Sequence, residues 1–140
     1  MRLIAQADVQ TTGINYAQAI QTGHGHSLSA DEPESAGGRN AGATPYELLL
    51  ASLGACTVMT LQMYAERKRW DLGRLRVQLS LSKDSDKNTH IERVLDTDAD
   101  LSDEQWARLL DIASKTPVTL TLSQGAQIAS RVSVAARPAA

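Results

Sequence analysis

Thr44-Pro45-Tyr46-Glu47-Leu48-Leu49-Leu50-Ala51-Ser52-Leu53-Gly54-Ala55-Cys56-Thr57-Val58-Met59-Thr60-Leu61-Gln62-Met63-Tyr64-Ala65 is the stretch on which the fold turns. It opens with the signals of a helix start. Thr44 can cap, Pro45 takes the first helical position where no backbone donor is needed, and Glu47 stands where it completes a capping box. Apolar residues then recur on every side of the helix, which a surface helix with one apolar stripe does not show, so burial in a core is expected. Glu66, Arg67, Lys68 and Arg69 close the helix, with the cations placed where the helix dipole is negative. Cys56 is the only cysteine in the chain. A lone thiol at mid-helix is either an inert filler or the reactive atom of the protein.

Composition narrows the classes of function. A chain of 140 residues with 42% hydrophobic residues supports one core, so a single domain over 1–140 is expected. Lys and Arg number 14 against 16 Asp and Glu, too even a balance to hold a phosphate backbone or an anionic membrane. No nucleic-acid partner is expected. One cysteine cannot close an internal disulfide, and the N-terminus lacks the apolar run and cleavage site of a secretory signal, which points to the cytoplasm. The stretch from Leu48 to Met63, interrupted by Ser52, Gly54, Thr57, Thr60 and Gln62, reads as too short and too polar for a membrane span of about 18 or more apolar residues.

On the N-terminal side, residues 1–30 read as a three-stranded meander with strands at Leu3–Val9, Ile14–Ile20 and His24–Leu28, punctuated by Thr12-Gly13 and Thr22-Gly23. Residues 31–43 form a loop of a length that usually signals function or mobility. Beyond the helix of residues 44–69, a second half over 72–134 reads β-β-α-α-β. Leu75, Val77, Leu79 and Leu81 alternate in one strand, His90–Thr97 supplies its antiparallel partner, and Lys83–Asn88 forms the turn between them. Ser102 with Gln105 repeats the capping box ahead of Trp106, Leu109, Leu110, Ile112 and Ala113. Thr116 caps a further helix at Pro117, Ala126–Val134 is expected as a last strand, and 135–140 as a frayed tail. Strands grouped in this way make the class α+β. Small sheets cannot wrap a helix that is apolar all round, so the simplest cover is a second copy of the chain about a two-fold axis, placing Cys56 near a subunit interface.

The run Gly37–Thr57 resembles the signature of the OsmC/Ohr family. Ile91-Glu92-Arg93 and Leu110–Leu122 resemble that family's second half, and with His26–Pro33 the likeness covers roughly residues 24–123. It implies an intertwined α+β homodimer, with antiparallel sheets around two central buried helices. It also implies thiol chemistry: members reduce organic hydroperoxides with two cysteines, the first attacking the peroxide to become a sulfenic acid and the second condensing with it to a disulfide. This chain departs from the pattern at Thr116, which stands where such members carry the second cysteine. A sulfenic acid on Cys56 therefore needs an external thiol or dithiol to resolve it. Some members set an arginine from the preceding loop beside the reactive cysteine, held by a glutamate of the first helical turn. Arg39 and Glu47 are the matching residues. Glu47 lies one residue closer to the cysteine than in the common pattern, and nine residues turn a helix by about 900°, to nearly the opposite side.

The resemblance thus implies a peroxide-reducing site made of Cys56, Arg39 and Glu47, with a hydroperoxide as substrate. The competing expectation is a non-catalytic dimer that binds a small apolar ligand or senses oxidants stoichiometrically. His24 and His26 share a strand face, but no third ligand stands at a supporting spacing, so no metal is expected. No cofactor is called for, since neither a phosphate-cradling loop nor a Ser/His/Asp arrangement occurs.

Overall fold

The capping signals at Thr44 are realised atom by atom. In the computed structural model, which describes residues 1–133, Thr44 Oγ1 accepts from the Glu47 N–H at 3.2 Å and Glu47 Oε1 accepts from the Thr44 N–H at 2.9 Å. Helix α1 then runs over Pro45–Lys68 and stops at Arg69, whose φ of 57° is left-handed. Ahead of it lie strands β1 (Ala7–Thr11), β2 (Gln18–Thr22) and β3 (Ser27–Ala30), followed by a 3-10 turn at Glu34–Ala36. After it come β4 (Arg76–Lys83), β5 (Thr89–Asp96), α2 (Asp103–Ala113) and α3 (Pro117–Gln124).

β1, β2 and β3 form an antiparallel meander with Val9 opposite Ile20 and Ile20 opposite Leu28. The strands begin three or four residues later than the hydrophobic runs suggest. Gly13 and Asn15, at φ 84° and 42°, bend the chain, and Ala17 closes a turn onto the Ile14 carbonyl, so Ile14–Tyr16 goes into the connection.

The second sheet pairs β4 with β5 in antiparallel register, with Val77 opposite Leu95, Leu79 opposite Arg93 and Leu81 opposite Ile91. Alternation leaves these six residues half-buried and their neighbours exposed, so one face is turned to the protein and the other to water. α1 packs on β4, α2 and α3. Its fourth-residue row of Leu53, Thr57, Leu61 and Ala65 is buried, and Leu61 and Ala65 join Leu72 and Leu109 in the core under Tyr64, Trp70, Leu95 and Trp106. Gly54 allows the close approach to β4: a Cβ there would stand 2.8 Å from Leu79 Cδ1.

Three expectations need correction. Burial of α1 on all sides does not hold within one chain, because two short strands and two helices cover only one side, leaving Met59 and Met63 at 57% and 63% exposure. α1 is also not too short or too polar for a membrane span by length and composition, since its 24 residues include a window of mean hydropathy 1.5. Its packing on β4, α2 and α3 gives it the role of a core helix instead. Finally, no strand forms over residues 126–133, and Ile128 and Val132 are exposed, because no sheet edge of the same chain pairs with this segment. Val134 and the expected tail 135–140 lie outside the described residues.

Candidate active site

Helical phase decides what α1 presents beside its buried row. Seven residues at 100° each bring Cys56 within about 20° of Leu49, and three residues bring it within about 60° of Leu53. Leu49 and Leu53, with Tyr46, form one wall of a cleft of about 490 Å³ whose remaining lining is Thr89, Ile91, Arg93, Thr119, Leu122 and Ser123. Cys56 is half-buried, one turn beyond this wall. The cleft is mainly hydrocarbon, with polar groups gathered on β5 and α3.

Arg93 is the one charged residue of that lining. It occupies an inward position of β5, where the alternation of Ile91 and Leu95 would otherwise place an apolar side chain. One nitrogen, Nη1, makes two hydrogen bonds, donating to Thr57 Oγ1 at 3.0 Å and to Thr119 Oγ1 at 2.9 Å. Both acceptors are themselves held. Thr57 donates to the Leu53 carbonyl at 2.7 Å, while Thr119 donates to the Ala113 carbonyl at 3.2 Å and lies 2.7 Å from Thr116 Oγ1. Among the described residues no carboxylate pairs with Arg93. Burial pushes its guanidinium below the usual range, and the neighbouring Cys56 acts in the opposite sense, favouring the charged form.

Neither residue expected to assist Cys56 is bonded to it. Glu47 gives its carboxylate to the cap of α1. Arg39 is exposed in the loop before α1, with its backbone N–H donating to Asp31 Oδ2 at 3.1 Å. No hydrogen bond or ion pair joins Arg39, Glu47 and Cys56 to one another among the described residues. The loop hangs on Asp31, a buried carboxylate that also accepts from the Ala41 N–H at 3.1 Å and the Glu32 N–H at 2.8 Å. The Ala41 bond chiefly, then those from Glu32 and Arg39 and the Arg39 charge, hold its carboxyl below the ordinary carboxylate range against the opposing effect of burial.

Thr116 is buried at the N-cap of α3, but its hydroxyl turns to Thr119 rather than capping a backbone N–H. Thr116, the position at which the resemblance leads one to expect a second cysteine, is thus part of the hydroxyl network that grips Arg93. Arg93, Thr57 and Thr119 were not singled out from sequence. The available signal was an arginine on the apolar phase of a strand, and it sat unremarked within Ile91-Glu92-Arg93. Among the described residues no cluster of metal-ligating side chains occurs, and His24 and His26 are both exposed.

The comparisons agree with this architecture. Residues 37–131 match the family model of OsmC-like protein. No curated protein sequence matches the chain significantly. Among solved structures, a protein of Psychrobacter arcticus superposes with a TM-score of 0.75 at 15% identity, covering 86% of this chain and 90% of its own. An organic hydroperoxide resistance protein OsmC of Legionella pneumophila gives 0.63 at 19% identity over 86% and 89% of the two chains. The organic hydroperoxide resistance protein OhrB of Bacillus subtilis gives 0.58 at 25% identity over 85% and 90%. With a matched region spanning most of the chain, from the loop before α1 through α3, this protein belongs to the OsmC-like protein family.

Proposed function

We propose that this protein is a thiol-dependent reductase of organic hydroperoxides, acting as a homodimer in a reducing compartment with Cys56 as its reactive atom. The observation that carries the reading is the place of Cys56: half-buried, on the α1 face that walls an apolar cleft. Family membership supports it, as do the names of the Legionella and Bacillus neighbours. The Cys56 thiolate attacks the terminal oxygen of the hydroperoxide. The O–O bond breaks, Cys56 becomes a sulfenic acid, and the departing alkoxide takes a proton from water to leave as the alcohol. One external thiol then displaces water from the sulfenic acid to give a mixed disulfide, and a second returns Cys56 to the thiol and leaves as a disulfide.

The dimer is supported by what one chain leaves uncovered. The meander buries almost nothing of its own, with Val9 and Leu28 at 58% and 45% exposure, while Met59 and Met63 project from α1 and Ile128 and Val132 stand on an unpaired segment. A second copy covers these surfaces together.

Turnover tests the reading. Purified protein mixed with cumene hydroperoxide and dithiothreitol consumes many equivalents of peroxide, and Cys56→Ser consumes none. Consumption that stops at or below one equivalent refutes the enzyme. It leaves the competing reading, a dimer that binds an apolar ligand or records oxidant stoichiometrically.

A further inference from the structure

We propose that Arg93, gripped by Thr57 and Thr119 and braced through Thr119 by Thr116, is the cation that holds the Cys56 thiolate. The assignment rests on the reading of Cys56 as a reactive thiol and adds the group that activates it. Three observations converge. Arg93 lies half-buried on the inward face of β5, in the same cleft wall system as the α1 face bearing Cys56. Its anchor Thr57 is the residue directly after Cys56, and the Nη1 contact at 3.0 Å brings the guanidinium to that turn of the helix. Finally, both Nη1 hydrogens are spent on Thr57 and Thr119, leaving Nη2 and Nε without protein acceptors among the described residues.

Arg93 is half-buried and has no carboxylate partner among the described residues, so its free donors are available to an anion that enters the cleft. Among the described residues no other charge faces this point. Glu47 is nine residues back on the opposite side of α1, α3 carries no titratable side chain, and Leu79 and Leu81 are the inward neighbours on β4, whose terminal Lys83 lies over the Tyr46 ring. A Cys56 thiolate supplies the missing negative charge, and the same donors face the oxygen that gains charge as the O–O bond breaks. Thr116 takes a new part here. In place of a sulfur that would close a disulfide, its hydroxyl fixes the orientation of the Arg93 clamp.

The test follows the thiol itself. The rate of iodoacetamide alkylation of Cys56 is measured against pH in the wild type, Arg93→Met, Arg93→Lys and Thr119→Val, with circular dichroism confirming the fold. Arg93→Met is expected to move the alkylation profile to higher pH and to slow alkylation at pH 7 about tenfold. Arg93→Lys should recover part of that loss, and Thr119→Val should slow alkylation about two- to threefold with the charge retained. If Arg93→Met does not fold, the Lys and Val variants decide: unchanged profiles in both overturn the assignment. In folded Arg93→Met an unchanged profile overturns it directly. Peroxide turnover separates this proposal from the one it rests on. Cys56-dependent turnover with an unmoved profile refutes Arg93 alone, while a profile displaced in Arg93→Met without wild-type turnover keeps Arg93 as the thiolate's cation and removes the peroxidase.

Discussion

Replacing Gly54 by alanine sets two effects of similar size against each other. In a helix interior alanine is favoured over glycine by about 1 kcal/mol. Against this, the added methyl stands 2.8 Å from Leu79 Cδ1, where carbon atoms prefer about 3.5–4.0 Å. Leu79 must therefore withdraw by close to an ångström, and overpacking of this kind costs about 1–3 kcal/mol. Gly54→Ala should thus destabilise by about 1 kcal/mol net, the difference of these two contributions. In a Leu79→Ala background the obstructing atom is gone and the helix preference acts alone. There Gly54→Ala should stabilise by about 1 kcal/mol, a coupling of about 2 kcal/mol between the sites. Urea unfolding followed by circular dichroism at one protomer concentration measures all four corners of the cycle. An effect of the same sign and size in both backgrounds would refute the claim that Gly54 is where α1 seats on β4. The seat matters for function because Leu79 is the cross-strand partner of Arg93 and Gly54 lies two residues before Cys56.

Thr44→Ala removes the acceptor of the capping box, and urea unfolding should show a loss of about 1 kcal/mol; an unchanged midpoint would mean that Pro45 alone fixes the helix start. Asp31 is a carboxylate whose folded pKa is lowered from 3.8, so its contribution is present above that value and is lost as pH falls through the lower folded one. Wild type should accordingly lose more melting temperature between pH 5 and pH 2 than Asp31→Asn, which is already weakened at neutral pH. Asp84, lowered chiefly by His90, shares the direction, so Asp84→Asn is the matched control, and parallel acid profiles for wild type and Asp31→Asn would contradict the role given to Asp31.

The start and end of α1, the capping box at Ser102, the meander and the pairing of β4 with β5 were legible because each rests on residues close in sequence. The strand expected over Ala126–Val134 had the right alternation, yet alternation cannot supply a partner edge, and within one chain residues 126–133 find none. Cys56 was visible through its uniqueness and its family context. Arg93 showed only as an arginine on the apolar phase of a strand, because its partners Thr57 and Thr119 lie far from it in sequence.

What the amino-acid sequence determined by itself was the run of elements from β1 to α3, the family, and a solitary thiol in a long apolar helix. Capping, turn and alternation signals act over a few residues and survive without tertiary context. Which side of α1 is covered, and where the Arg93 guanidinium comes to rest, was decided only by the folded chain. Arg93 reaches across 36 residues to Thr57 and across 26 to Thr119. Contacts of that span arise when a sheet and two helices close on the same face, and no local pattern encodes where a long side chain comes to rest.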